Sequence, residues 1–308
     1  MRIVFMGTPE FAVPSLEILL KNHYNVVAVV TAEDKPAGRG QKLQISEVKA
    51  CALRHNLPIL QPTKLKAPEF VETLRSYQAD LQVVVAFRML PEVVWAMPPL
   101  GTFNLHASLL PKYRGAAPIN WAIINGETET GVTTFFIQHE IDTGNIIFQE
   151  KEPIFPQDNA GTLHERLKIK GAELVLKTVQ AIESHAVQAI PQAQLAQPSY
   201  APKIFRETCQ INFNQTAQQI HNFVRGLAPY PAAWTILKGK TCKIYQTEVW
   251  QELPPNFATT DWQIGQPISD NKHWLCFKTA EYYISIKELQ LESKKRMSIE
   301  EFLRGNKL

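Results

Sequence analysis

Uninterrupted apolar runs constrain this chain most. RIVFMG at 2–7, NVVAVVT at 25–31 and ADLQVVVAF at 79–87 are each short, and none alternates with polar residues. A strand that is apolar on both sides must be covered on both sides, which is the condition of a parallel sheet held between two layers of helices. The segments between the runs supply those layers. TPEFAVPSLEILLKN places Phe11, Leu16, Leu19 and Leu20 at helical spacing, and QISEVKACALRHN and APEFVETLRSYQ read the same way, with LPILQP as a short strand between them. The pattern predicts an α/β fold, a Rossmann-like, doubly wound, mostly parallel sheet. Its first turn, GTPEF, lacks the glycines of a dinucleotide site, so Thr8 is expected as an N-cap and Pro9 as the first helical residue.

The second half changes character. A long helix is predicted over GTLHERLKIKGAELVLKTVQAIES, followed by a Gln-, Pro- and Ala-rich stretch with little periodicity. TAQQIHNFVRGL is an amphipathic helix, and AAWTILK, KTCKIYQTEVW, HWLCFK and EYYISIKELQL follow as short strands with no helices between them. That succession predicts a small β-barrel. The expected organisation is a catalytic domain over 1–188, a linker over 189–207 and a β-barrel domain over 208–308. Charge follows the division: residues 189–308 hold 14 Lys and Arg against 10 Asp and Glu, whereas residues 1–188 hold 18 against 19. A basic barrel is compatible with a polyanionic partner such as a nucleic acid, and equally with a solvated surface that happens to be basic.

Other classes are disfavoured. No apolar run is long enough to span a bilayer, and the N-terminal MRIVFMGTPEF has no apolar core or cleavage site of a signal peptide. Four scattered cysteines without a C-x-x-C pair argue against zinc and disulfides, and suit a reducing cytoplasm.

The chemistry concentrates in FNLHASLLPKYRGAAPINWA, residues 103–122, where a strand gives way to a loop and then a helix. Ligands of an open parallel sheet bind beyond the carboxyl ends of its strands. Asn104 and His106 are two residues apart on such a strand, so both aim into one cleft. GVTTFFIQHEIDTGNII supplies Asp142 in a D-T-G turn between two strands. A carboxylate beside an imidazole favours its cationic form, and an Asn amide can bind a developing oxyanion. Asn, His and Asp together suit attack of an amine on an acyl carbon. No G-x-S-x-G nucleophile is present, so direct transfer is favoured over an acyl-enzyme.

These segments carry a family resemblance. FNLHASLLPKYRGAAPINWAI with ETGVTTFFIQHEIDTGNII closely resembles the folate-dependent formyltransferases. MGTPEFAVPSLEILL, DKPAGRGQKL and SYAPKI narrow it to the branch whose acceptor is methionyl initiator tRNA, and the likeness covers essentially the whole chain. The resemblance implies a Rossmann-like catalytic domain, a linker and a C-terminal tRNA-binding β-barrel resembling an OB fold. It implies 10-formyltetrahydrofolate as co-substrate, methionyl initiator tRNA as partner, no metal, a role in translation initiation, and a cytoplasmic monomer.

Carried over by match, Asn104, His106 and Asp142 are the catalytic residues. Ser108, Leu109, Leu110 and Pro111 form the folate-binding turn, joined by Phe87, Met89 and Leu90. Arg39 and Lys42, in DKPAGRGQKL, are candidates for tRNA binding. The chain departs from the family at AFRMLP, where Arg88 and Met89 replace an A-Y-G-x-x-L-P pattern, and His139 in HEID is expected to be a bystander. Three alternatives stay open: a formyltransferase for a small amine, a non-catalytic tRNA- or folate-binding module, and a hydrolase that releases formate.

Overall fold

The apolar runs form the centre of one sheet. The computed structural model describes residues 1–37, 42–195, 197–257 and 261–308. Seven strands lie in the order Ile146–Pro153, Glu129–Phe136, Thr102–His106, Leu81–Val85, Arg2–Gly7, Asn25–Val30, Ile59–Leu60. The last five are parallel to one another, and Glu129–Phe136 runs antiparallel to Thr102–His106. Ile3, Val4, Phe5 and Met6 are all fully buried, as are Leu81, Val83 and Val85, so both faces of these strands are covered. This is the physical reason the runs do not alternate. Helices Val13–Lys21, Glu47–Arg54 and Pro68–Ser76 connect them. The sheet grows outward from Arg2–Gly7 to Ile59–Leu60, then resumes on the other side at Leu81–Val85 and Thr102–His106. That reversal is the switch point where such sheets bind ligands.

The first helix starts differently from the sequence expectation. Thr8 is not its N-cap. The chain enters through the 3-10 turn Glu10–Ala12, with extended Pro9 in the capping position and the Ala12 N–H donating to the Pro9 carbonyl at 3.0 Å. The α-helix then begins at Val13 with Pro14 in its first turn. Two prolines, each tolerated only in a first turn, divide the start between two short helices.

By contact the chain forms two units that are not contiguous in sequence. The first comprises 1–115, 130–153 and 164–200, and the second 116–129, 154–163 and 201–308. The second unit holds a curled antiparallel half-barrel of the OB type. Its strand order is Ala233–Leu237, Lys240–Trp250, Tyr283–Leu291, Leu275–Lys278, Pro267–Ser269, with Met297–Ser298 also paired to Tyr283–Leu291. Helix Ala217–Leu227 is closed at its start by a capping box of Thr216 and Gln219. It presses Ile220, Val224 and Leu227 into a core with Ile244, Leu275, Ile284 and Leu289, against which Ile124 of helix Pro118–Ile124 packs. Gly226 makes that approach possible, since a Cβ there would stand 2.5 Å from Ile124. No helix among the described residues is long and apolar enough to cross a membrane.

Candidate active site

The strand Thr102–His106 ends where the sheet opens. Its Asn104 pairs across Phe135 and its His106 across Thr133, so the two side chains share a face as their spacing requires. The Asn104 amide is half-buried and makes no hydrogen bond among the described residues. His106 is buried, and each ring nitrogen faces an oxygen: Nε2 donates to the Tyr113 carbonyl at 2.8 Å, and Nδ1 stands 3.7 Å from Asp142 Oδ2. The same Asp142 oxygen accepts from the Gly115 N–H at 2.8 Å.

Asp142 is brought there by a strained turn. Its φ is +55°, and Tyr113 and Ala86 take φ of +60° and +48°. Each left-handed non-glycine residue costs about 1–2 kcal/mol, and such residues persist where the surroundings over-determine them. The turn's glycine is dictated by space. A Cβ on Gly144 would sit 1.6 Å from the Phe136 carbonyl oxygen.

The S-L-L-P turn is tied to the sheet. Ser108 is fully buried and its hydroxyl donates to the Lys112 carbonyl at 2.6 Å. Thr133 Oγ1 donates to the Ser108 carbonyl and accepts from the Leu110 N–H, while Gln149 Nε2 donates to the Leu110 carbonyl at 2.8 Å. Leu110 packs on Phe135 and Ile146, Pro111 is buried and Leu109 partly so. These polar groups of Ser108 and Leu110 are thus committed within the protein, and the turn offers shape.

The segment after Leu81–Val85 divides. Leu90 is buried, and half-buried Phe87 packs on the cluster of Val4, Met6 and Val84, whereas Met89 is 72% exposed. Arg88, at the departure from the family pattern, donates to the carbonyls of Pro62 and Thr63 and so fastens this loop to the neighbouring one. His139 is exposed, 3.4 Å from Glu92 and edge-on to Trp95, away from any contact with the trio. Lys42 opens the strand Lys42–Gln44 of a hairpin with Lys35–Ala37, and Arg39 lies outside the described residues.

Two residues around the trio carried no mark in the sequence, Gln149 and Gln192, whereas Tyr113, Arg114 and Ser199 lie in segments singled out there without a role. Thr133 carried a mark. It is a fully buried hydroxyl in the apolar strand GVTTFF, and a polar residue there must have internal partners.

Among the described residues two clusters group three metal-type ligands, and neither includes the trio. In Glu10, His164 and Glu165, the Lys168 ammonium already pairs with both carboxylates. In Glu17, Cys51 and His55, burial and then Glu17 push the Cys51 thiol up to about 11, and Glu17 pairs with Arg54. A protonated thiol is a poor metal ligand.

Comparison with known proteins agrees with this architecture. Residues 1–179 match the formyl transferase family and residues 203–307 match the formyl transferase C-terminal domain. The chain is 52% identical over 313 residues to the methionyl-tRNA formyltransferase of Bacteroides fragilis, covering 99% of this chain and 95% of the relative. It is 54% identical over 315 residues to that of Azobacteroides pseudotrichonymphae, covering 99% and 96%. Among solved structures, the N-formyltransferase from Helicobacter canadensis, solved with folinic acid and dTDP-3-aminofucose, aligns with a TM-score of 0.66. It is 23% identical, with 96% of this chain and 99% of that one covered, a likeness of fold.

Proposed function

We infer the function from one premise: the chain belongs to the formyl transferase family. It transfers the formyl group of 10-formyltetrahydrofolate to the α-amine of methionyl initiator tRNA, the step that prepares the initiator for translation. The observation that carries this is the near-complete coverage, at about half identity, of relatives named for that activity.

Asn104, His106 and Asp142 act on the formyl carbon. The α-amine adds to it, and the carbonyl oxygen takes up negative charge. The Asn104 amide, free of other partners among the described residues, donates to that oxyanion. His106, oriented by Asp142, supplies the proton that leaves with the folate nitrogen as the carbon–nitrogen bond breaks. The ring, having given up that proton, takes the one the incoming nitrogen loses, so His106 ends as it began. Ser108 to Pro111, with Phe87 and Leu90, wall the folate, and exposed Met89 covers its outer edge. Arg39 and Lys42, and the barrel over 208–308 beyond the linker 189–207, hold the tRNA. A cavity of about 640 Å³ in the second unit has Lys272, Arg304 and Lys307 in its wall against the one carboxylate Glu300, a balance that suits a polyanionic partner. The enzyme works as a monomer in the cytoplasm.

The test offers the full chain 10-formyltetrahydrofolate with four acceptors: methionyl initiator tRNA, glycinamide ribonucleotide, an amino-sugar nucleotide and water. Transfer is expected to the tRNA alone. Preferred turnover of either small amine, or formate release without tRNA, overturns the reading.

A further inference from the structure

The stretch between the long helix Ala160–Glu183 and the barrel is not a passive tether. Its Gln192 is 3% exposed and makes four hydrogen bonds through one side chain. Nε2 donates to the Asp142 carbonyl at 2.8 Å and to the Gly144 carbonyl at 2.8 Å. Oε1 accepts from Arg114 Nε at 3.1 Å and Nη2 at 2.6 Å. The residue after Arg114 is Gly115, whose N–H holds the Asp142 carboxylate. The contacts therefore close a ring: the turn 142–144, Gln192, Arg114, Gly115 and back to Asp142.

The same stretch reaches the other side of the site. Ser199 Oγ accepts from the Tyr113 N–H at 2.9 Å, and the Tyr113 carbonyl holds His106. Asp142 and His106 are thus both fixed from a segment 50 or more residues later in the chain.

We propose that Gln192 is a positioning residue for formyl transfer, whose amide pins the 142–144 turn so that the Asp142 carboxylate faces His106. The proposal rests on the reading of Asp142 as catalytic. The physics is specific. Asp142 sits at φ +55°, which its own backbone disfavours, so an external hold is needed. Two carbonyls that converge on one amide have no other donor among the described residues, and a misplacement of about 1 Å at a reacting group costs on the order of 10²-fold in rate. Arg114 keeps the amide in the orientation that turns its nitrogen toward the turn.

The test compares steady-state kinetics of Gln192→Leu, Gln192→Glu, Asp142→Asn and the double variant Gln192→Leu/Asp142→Asn in the full chain. Gln192→Leu should lower kcat about 10- to 100-fold, with KM for folate and tRNA within about threefold of the parent. Gln192→Glu keeps the Arg114 partner, replaces the donor by an acceptor and should lose as much, so it serves if the leucine variant does not fold. The double variant should be no slower than Asp142→Asn alone, within about twofold, because a residue that acts through Asp142 has nothing left to act on. Wild-type kcat in both Gln192 variants, or losses that multiply in the double variant, overturn the proposal. Full activity of Asp142→Asn would instead remove the reading on which it rests.

Discussion

Asn104, His106 and Asp142 sit in different states of commitment, and that decides what each substitution does. The Asn104 amide has no hydrogen-bond partner among the described residues, so its removal should leave the fold intact. His106 and Asp142 hold one another and the backbone at Tyr113 and Gly115. His106→Ala and Asp142→Asn should each lower formyl transfer by about 10²–10⁴, the usual contribution of a positioned acid or base. Circular dichroism should show both variants folded. Near-normal turnover in either would take that residue out of the mechanism. The N-x-H alternation and the D-T-G turn are local patterns, and the family resemblance they carry is what marked the trio as candidates. The partners of the trio were illegible. Gln192 stands in a run with Gln188, Gln194 and Gln197, and nothing local distinguishes the one that is buried.

Glycines of the turns show what an element requires. Gly144 belongs to D-T-G because the Phe136 carbonyl passes where its side chain would be. Gly144→Ala must push two strands apart, and overpacking of this kind costs roughly 1–3 kcal/mol. A lowered urea midpoint together with lost activity is expected, and an unchanged midpoint would show that the turn is looser than its geometry. Long elements were readable from the chain: the helix at 160–183, the buried strands and the amphipathic helix at 217–227. Short ones were not. Pro267–Ser269 and Met297–Ser298 are too brief to show a period, and they pair only because the neighbouring strand is there. Helix Ile299–Gly305 did carry a mark, the capping box of Ser298 and Glu301 in SIEE, which goes unread until the helix is seen.

Two properties belong to the whole molecule. Binding of tRNA should be steeply salt-dependent, and Arg39→Ala should lower the slope of log affinity against log salt by about one unit while folate binding is unchanged. An unaltered slope would remove Arg39 from the interface. Stability should fall in mild acid because of His221. Burial, and then the Arg225 charge, hold its pKa below the ordinary value, despite the bond from Nδ1 to the Thr247 hydroxyl. The unfolded chain takes up a proton near pH 6.5 that the folded chain refuses. The contribution of neutral His221 is therefore present above that pH and is lost as pH falls toward the depressed folded value. Urea midpoints of the parent and His221→Gln should converge between about pH 7.5 and 5.5, since only the parent carries this term. Parallel curves would exclude it. By itself the sequence determined the fold class and the family and singled out the trio as candidates, because these are written in repeats of two or 3.6 residues and in short motifs. Tertiary structure alone decided that residues 116–129 and 154–163 pack with the barrel, and that the stretch at 192–199 bonds to the 142–144 turn and to Tyr113. The contacts of 192–199 join residues 48 to 86 positions apart, and no local pattern encodes which distant carbonyl a buried amide will meet.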